Sequence, residues 1–349
     1  LCFYGGRSNA GKFRGQGFAR NSGVKKMKKY FVTIFIGCFF QSCEENKVVY
    51  KPESSARINS ITVVIDKDNW DNKIGDKIRS LYADEYEGLP QIEERFTLKQ
   101  MQYETFSGFS RTSRNIIFIN KTTNTEFFFE KDKYARPQVY LEIKGNSTQS
   151  ILSQLDQSKN EAIKRFTNGE IEENKTRILK SPLKDVGALE DFSVDMKMPS
   201  AYKLYKQEKN FVWYQKPIQK GHSNIVITEL LDQNNIFSYT TSDVVRLRDS
   251  IGKLFLPGRN LESFMVTEKE YLPYQKRVSY HGIKMLETRG TWEVKGDFMG
   301  GPFLNYLVED KLNKRILFVE GFVFAPSKRK RDNIIELEAI IKSLKFTKL

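Results

Sequence analysis

Glu293 and Asp297 bracket a glycine-rich turn, Gly296-Asp297-Phe298-Met299-Gly300-Gly301-Pro302-Phe303, with Trp292 just before it. Two carboxylates beside a flexible turn are the residue types of general acid–base hydrolysis. The same segment serves equally as a ligand loop. Gly300 and Gly301 let backbone approach a partner, and Asp297 offers a polar contact beside Trp292. A plain wide turn between two strands, stiffened by Pro302, explains the composition as well, and is the preferred reading. His222 and His281 each adjoin a glycine and read as strand-end or surface residues. No G-x-S-x-G elbow frames a serine for a triad. With three Cys and two His in 349 residues, no Cys/His zinc cluster is expected. No catalytic residue, metal or cofactor is assigned.

Lys328-Arg329-Lys330-Arg331 opens the last helix, where cations oppose the helix dipole. The run is a candidate contact for an anionic surface, though a solvated face is the commoner use of such a run. Gly6 to Lys12 fits G-x-x-x-x-G-K and resembles the phosphate loop of ribosome-assembly GTPases. Phe13 stands where a Ser or Thr must bind Mg²⁺, and no helical pattern follows. No nucleotide is therefore expected. Asp249-Ser250-Ile251 resembles a short O-glycosylation sequon but falls inside a predicted helix.

The net charge of +14 is uneven. Residues 1–42 hold eight cations and no acid, which leaves +6 from Cys43 onward. That balance is ordinary for a globular body, so no nucleic acid is expected as partner. Residues 1–26 read as an over-extended start. Residues 27–42 read as a signal peptide: Met27-Lys28-Lys29, then the apolar run Phe31–Phe40, then Gln41-Ser42 before Cys43. The apolar run is too short to span a bilayer. The order resembles a bacterial lipobox with Phe40 in place of its usual Leu. The implied outcome is lipidation at Cys43 and anchoring to the outer membrane, facing either the periplasm or the outside. Residues 43–59 read as a tether.

Two α+β modules follow, at residues 60–180 and 190–349, with largely antiparallel sheets flanked by helices. In the first, Ile61–Ile65 is a strand and residues 70–82 a helix. Ile116–Ile119 and Glu126–Glu130 pair as a hairpin. A long helix starts near Ser147 and is capped at Gly169, and a short amphipathic piece follows it. In the second, four consecutive strands precede a helix after Ser242. Further strands lead to a final helix with Ile334, Leu337, Ile340, Ile341 and Leu344 on one stripe.

The segments Gly290 to Phe303 and Glu320 to Pro326, together with the lipobox-like start, resemble an uncharacterised Bacteroidetes lipoprotein family filed as a domain of unknown function. The resemblance implies a signal peptide, an envelope location and no assigned activity. The reading is a non-enzymatic binding or assembly module whose partners are the membrane, through its lipid, and an envelope protein or polysaccharide. The alternative is an envelope hydrolase using carboxylates near the turn 293–302.

Overall fold

A computed structural model describes residues 50–230 and 235–348. The signal-peptide, Cys43 and phosphate-loop readings lie outside these residues. Tyr50 to Leu349 forms one compact unit.

The first sheet is built on β1 (Ser60–Val64), whose every residue is buried. A β-branched run of Ile, Thr and Val suits a central strand covered on both faces, and the buried Thr62 hydroxyl is satisfied by Ser113 at 2.9 Å. After β1, Asp66 caps the short helix α1 (Lys67–Trp70), and α2 (Lys73–Tyr82) buries Ile74, Ile78 and Leu81. Next come β2 (Thr97–Met101), β3 (Asn115–Lys121), β4 (Glu126–Lys131) and β5 (Val139–Gly145), in the spatial order β2-β1-β3-β5-β4. The expected β3–β4 hairpin does not form, because β5 inserts between the two strands. It runs parallel to β3 and antiparallel to β4. β5 is mostly buried and takes the inner place, whereas no residue of β4 is fully buried and it suits the sheet edge.

Helix α3 (Thr148–Lys180) starts at Ser147, which forms a reciprocal capping box with Ser150. It continues through Gly169, where a stop was expected. The reason lies one residue on. Glu170 is fully buried and accepts from Arg114 Nε (2.9 Å), Asn115 Nδ2 (2.6 Å) and the backbone N–H of Asn59 (2.9 Å). A glycine C-cap is a local preference worth about 1 kcal/mol, and these charge-assisted bonds outweigh it.

The chain then passes α4 (Gly187–Glu190) and β6 (Val194–Asp195) into the second sheet. Its strands are β7 (Lys203–Glu208), β8 (Phe211–Ile218), β9 (Gly221–Leu230), β10 (Phe264–Thr267), β11 (Tyr274–Tyr280), β12 (Ile283–Lys295), β13 (Asp297–Asp310) and β14 (Arg315–Phe324). They follow the order β10-β12-β13-β14-β9-β8-β7, with β11 also pairing with β12. Each of these pairings is antiparallel. Helix α5 (Thr241–Phe255), capped by Thr240, lies against one face with Trp292, Phe303 and Phe322. Helix α6 (Arg331–Ile341) covers the other face, and β15 (Lys345–Phe346) pairs with β6. Tyr86, Leu89, Ile171 and Ile178 share the α6 core, so the two sequence halves bury apolar surface together. The class is α+β, as expected.

Candidate functional site

Strand alternation sends Met285, Glu287, Arg289, Thr291 and Glu293 of β12 to the α6 face, and Leu286, Trp292 and Val294 to the α5 face. Glu287 and Arg289 therefore point beneath α6, where both are buried. They form the floor of a cleft of about 460 Å³ walled by α3, α6, β11 and the segment between α2 and β2.

The floor is a closed electrostatic network. Glu287 Oε1 accepts from Arg289 Nε and from Lys276 Nζ (2.9 Å), and its Oε2 accepts from the Tyr306 hydroxyl (2.6 Å). Arg289 also donates to Glu338 Oε2 (2.7 Å) and to the Tyr86 hydroxyl. Lys342, one helical turn on, donates to the other Glu338 oxygen. Burial pushes the Glu287 carboxyl up, but the Arg289 guanidinium, the Lys276 ammonium and its hydrogen bonds outweigh this and hold it at about 2. Glu338 is likewise held below the usual range: burial raises it, while Arg289 and Lys342 prevail. Burial raises the Tyr306 and Tyr86 hydroxyls well above the usual phenol value. Both carboxylates therefore stay charged and both phenols neutral at physiological pH.

Above this floor the cleft is open, and its walls mix apolar with polar side chains. α3 contributes Asn160, Lys164, Thr167 and Asn168, whose spacing of four, three and one puts them on a single face. Lys164 has no ion-pair partner among the described residues. Tyr280 is fixed at the rim, where its hydroxyl donates to Glu172 and accepts from Lys175 Nζ (2.6 Å).

The residues singled out in the sequence lie elsewhere. Trp292 is 2% exposed and packs edge-on against Phe322, at 5.7 Å between ring centroids. Gly296 takes φ +86° in a tight turn, narrower than the wide connection expected. Beyond it the β12–β13 register jumps, so that Glu293 faces Gly300 while Val294 faces Asp297. The residues between bulge outward, leaving Phe298 fully exposed. A Cβ on Gly301 would lie 2.0 Å from the Val323 carbonyl oxygen, and one on Gly300 2.9 Å from that of Trp292. These glycines thus meet neighbouring strands. Asp297 is gripped by Arg259 at 2.7 and 2.8 Å, which holds its carboxyl below the usual range. Glu293 is exposed, and neither carboxylate lines the cleft.

The basic run is divided. Lys330 and Arg331 are buried, and their backbone N–H groups donate to the two oxygens of buried Glu93 (2.6 and 3.1 Å). That carboxylate caps α6 and offsets the unfavourable cations at its N-terminus. The Arg331 guanidinium donates to the Glu94 carbonyl (2.6 Å), and Arg329 pairs with the Glu94 carboxylate (3.2 Å). Of the four, only Lys328 and Arg329 reach solvent. His222 is exposed on β9, and His281 occupies the β11–β12 turn with φ +48°. Ser250 lies in α5 and bonds back to the Arg246 carbonyl (2.8 Å).

The sequence reading missed the cleft floor. Its signal was available in Glu287 and Arg289, opposite charges at i, i+2 on one face of a strand, and in Glu338 within the apolar stripe of the last helix. Among the described residues no helix is long and apolar enough to cross a membrane, and no three His, Cys, Asp or Glu side chains gather as a metal would need.

Residues 181–343 match the model of a Domain of unknown function (DUF4837), and residues 54–179 match that of a Domain of unknown function (DUF8532). No curated protein matches the chain. Among solved structures, a cyanobacterial PsbP (CyanoP) from Synechocystis sp. PCC 6803 is 10% identical, over 45% of this chain and 88% of that one, with a TM-score of 0.31. LpqN, involved in cell envelope biogenesis of Mycobacterium tuberculosis, is 10% identical over 44% and 83%, with a TM-score of 0.27. PA94 of Pseudomonas aeruginosa, a putative regulator by its description, is 15% identical over 38% and 78%, with a TM-score of 0.22. Scores this low carry no argument about function. Two adjoining domains of unknown function are what the chain matches.

Proposed function

We propose that this chain is a cell-envelope lipoprotein whose folded body is a binding or assembly module, with the cleft beneath α6 as its ligand site. One observation carries the reading. Both buried carboxylates of the cleft spend all their oxygens on internal partners, while Lys164 at its wall is unpaired. Carboxylates held ionised and saturated are poor proton donors and poor nucleophiles. They make a rigid floor, which lowers the cost of ordering a site when a ligand arrives.

The hydrolase alternative is the weaker reading, because Asp297 is committed to Arg259 and kept ionised. A general acid needs the opposite shift. The anchor rests on the order Lys28-Lys29, Phe31–Phe40 and Ser42-Cys43. Membrane attachment through Cys43 would put the module beside envelope polysaccharides and proteins. Lys328 and Arg329 would be the exposed cations toward an anionic surface.

The test is mass spectrometry of the full chain purified from the membranes of its producing cell. The denatured mass is expected to begin at Cys43 and carry lipid, and Cys43→Ala to abolish this. The native mass is expected to show a non-covalent adduct that Lys164→Gln removes. An unlipidated soluble chain would defeat the anchor, and a wild type without adduct would defeat the ligand site.

A further inference from the structure

We infer that the cleft takes an anionic saccharide, a sugar bearing carboxylate or phosphate, held by Lys164 and Lys276 at its charge and by the α3 amides at its hydroxyls. The inference rests on the binding reading above and deepens it by naming the ligand class.

The volume of about 460 Å³ lies in the range of small-molecule sites, roughly 300–1,000 Å³. The usual pocket of that size is mostly apolar. Here Phe96, Ile163, Val278 and Ile335, with the rings of Tyr86 and Tyr280, supply the apolar part of the lining, and charged and amide side chains stand among them. A wholly hydrophobic ligand would cover Lys164 and the α3 amides without replacing their water, at a cost on the order of 1–3 kcal/mol for each group left unsatisfied.

The sign of the charge follows from which groups are already used. Glu287 and Glu338 have no oxygen free. Arg289 is consumed by them and by Tyr86. Arg95 is consumed by Asp84 at 2.9 Å. Lys276 gives one of its three N–H donors to Glu287 and keeps an exposed ammonium. Lys164 gives none away. Against these stands one unpaired carboxylate, Glu87, exposed at the edge. The excess favours an anion.

The hydroxyl preference comes from α3. Among the described residues Asn160, Thr167 and Asn168 find no side-chain hydrogen-bond partner, yet they share one helix face with Lys164. Side-chain amides both donate and accept, which is the complement of a sugar hydroxyl. Placed on a helix anchored by Glu170, they form a row that need not be ordered on binding.

The experiment is calorimetric titration of the full chain in detergent with four probes: digalacturonate, glucose 6-phosphate, and their neutral counterparts digalactose and glucose. Digalacturonate against glucose 6-phosphate separates a carboxylate source from a phosphate source. The expected result is binding of at least one anionic probe, about tenfold or more tighter than its neutral counterpart, as one charge-assisted hydrogen bond allows. Binding should weaken with salt, and Lys164→Gln should cost about tenfold. Equal binding of charged and neutral sugars, weakened by Asn168→Ala, would overturn the anionic class and leave the cleft as the site. Silence of all four probes would overturn the class too, and the native adduct then decides whether the cleft reading survives. Binding indifferent to both Lys164→Gln and Asn168→Ala would overturn class and site together. Both side chains are exposed, so their variants are expected to fold.

Discussion

Gly301→Ala separates the two readings of the glycine-rich turn. The added Cβ would meet the Val323 carbonyl oxygen at 2.0 Å and the Val323 carbonyl carbon at 3.2 Å, whereas ordinary contact begins at 3.4 Å. Over an ångström of retreat is required, and both parties are backbone. Val323 lies on β14, which is hydrogen-bonded to β9 on one side and β13 on the other, so it cannot move without breaking a ladder. Overpacking a core typically costs 1–3 kcal/mol, and an immovable neighbour puts this case at about 3 kcal/mol. For a body of this size that is a fall in melting temperature of about 5 °C. Gly187→Ala is the control. It lies at the start of α4, with nothing nearer to its Cβ than Asp185 Oδ1 at 3.9 Å. The control is expected to be neutral or stabilising by about 0.5 kcal/mol. Thermal and urea unfolding of the full chain measure both. A Gly301→Ala variant that melts with the wild type but loses a ligand would refute this reasoning and restore the ligand-loop reading.

Four further outcomes follow from the charged groups. Arg289→Met removes the cation shared by Glu287 and Glu338 and leaves each with one lysine, and urea unfolding should show a loss of about 3 kcal/mol. Adding Glu287→Gln to that variant should recover part of it. Glu287 is depressed from 4.5 to about 2 on folding, so its contribution is complete above about pH 4.5 and is lost as pH falls toward 2. Melting temperatures between pH 7 and 3 should therefore drop on the acid side, and Glu287→Gln should flatten that limb; an unchanged limb would count against the shift. Glu93→Ala leaves two backbone N–H groups of α6 unpaired and should cost about 2 kcal/mol by chemical denaturation. Arg329→Ala, an exposed ion pair, should change little.

Much of the fold was legible because local signals and tertiary context agreed. Ser147 announces the start of α3, and the β-branched run at residues 61–65 announces a strand. Legibility failed where a distant partner overruled a local preference. Gly169 looks like a helix stop, but Arg114 and Asn115 reach Glu170 from β3 and its approach and carry the helix on. Strands β3 and β4 look like a hairpin, but β5 fills the gap. The cleft was the least legible part. Tyr86, Arg289 and Glu338 are far apart in sequence and meet only after β12 and α6 have packed, so no spacing rule links them. The basic run misled for the same reason, because its acidic counterpart Glu93-Glu94 lies more than two hundred residues upstream.

The central claim is that the cleft beneath α6 is where this protein binds. In-cell photo-cross-linking tests it most directly, with a photoreactive amino acid replacing Asn168 at the cleft wall and, as control, Lys197, an exposed side chain outside it. The account predicts a saccharide-bearing adduct from position 168, absent at 197 and suppressed by Lys164→Gln. Equal cross-linking from both positions, or adducts at 168 indifferent to Lys164→Gln, would contradict it.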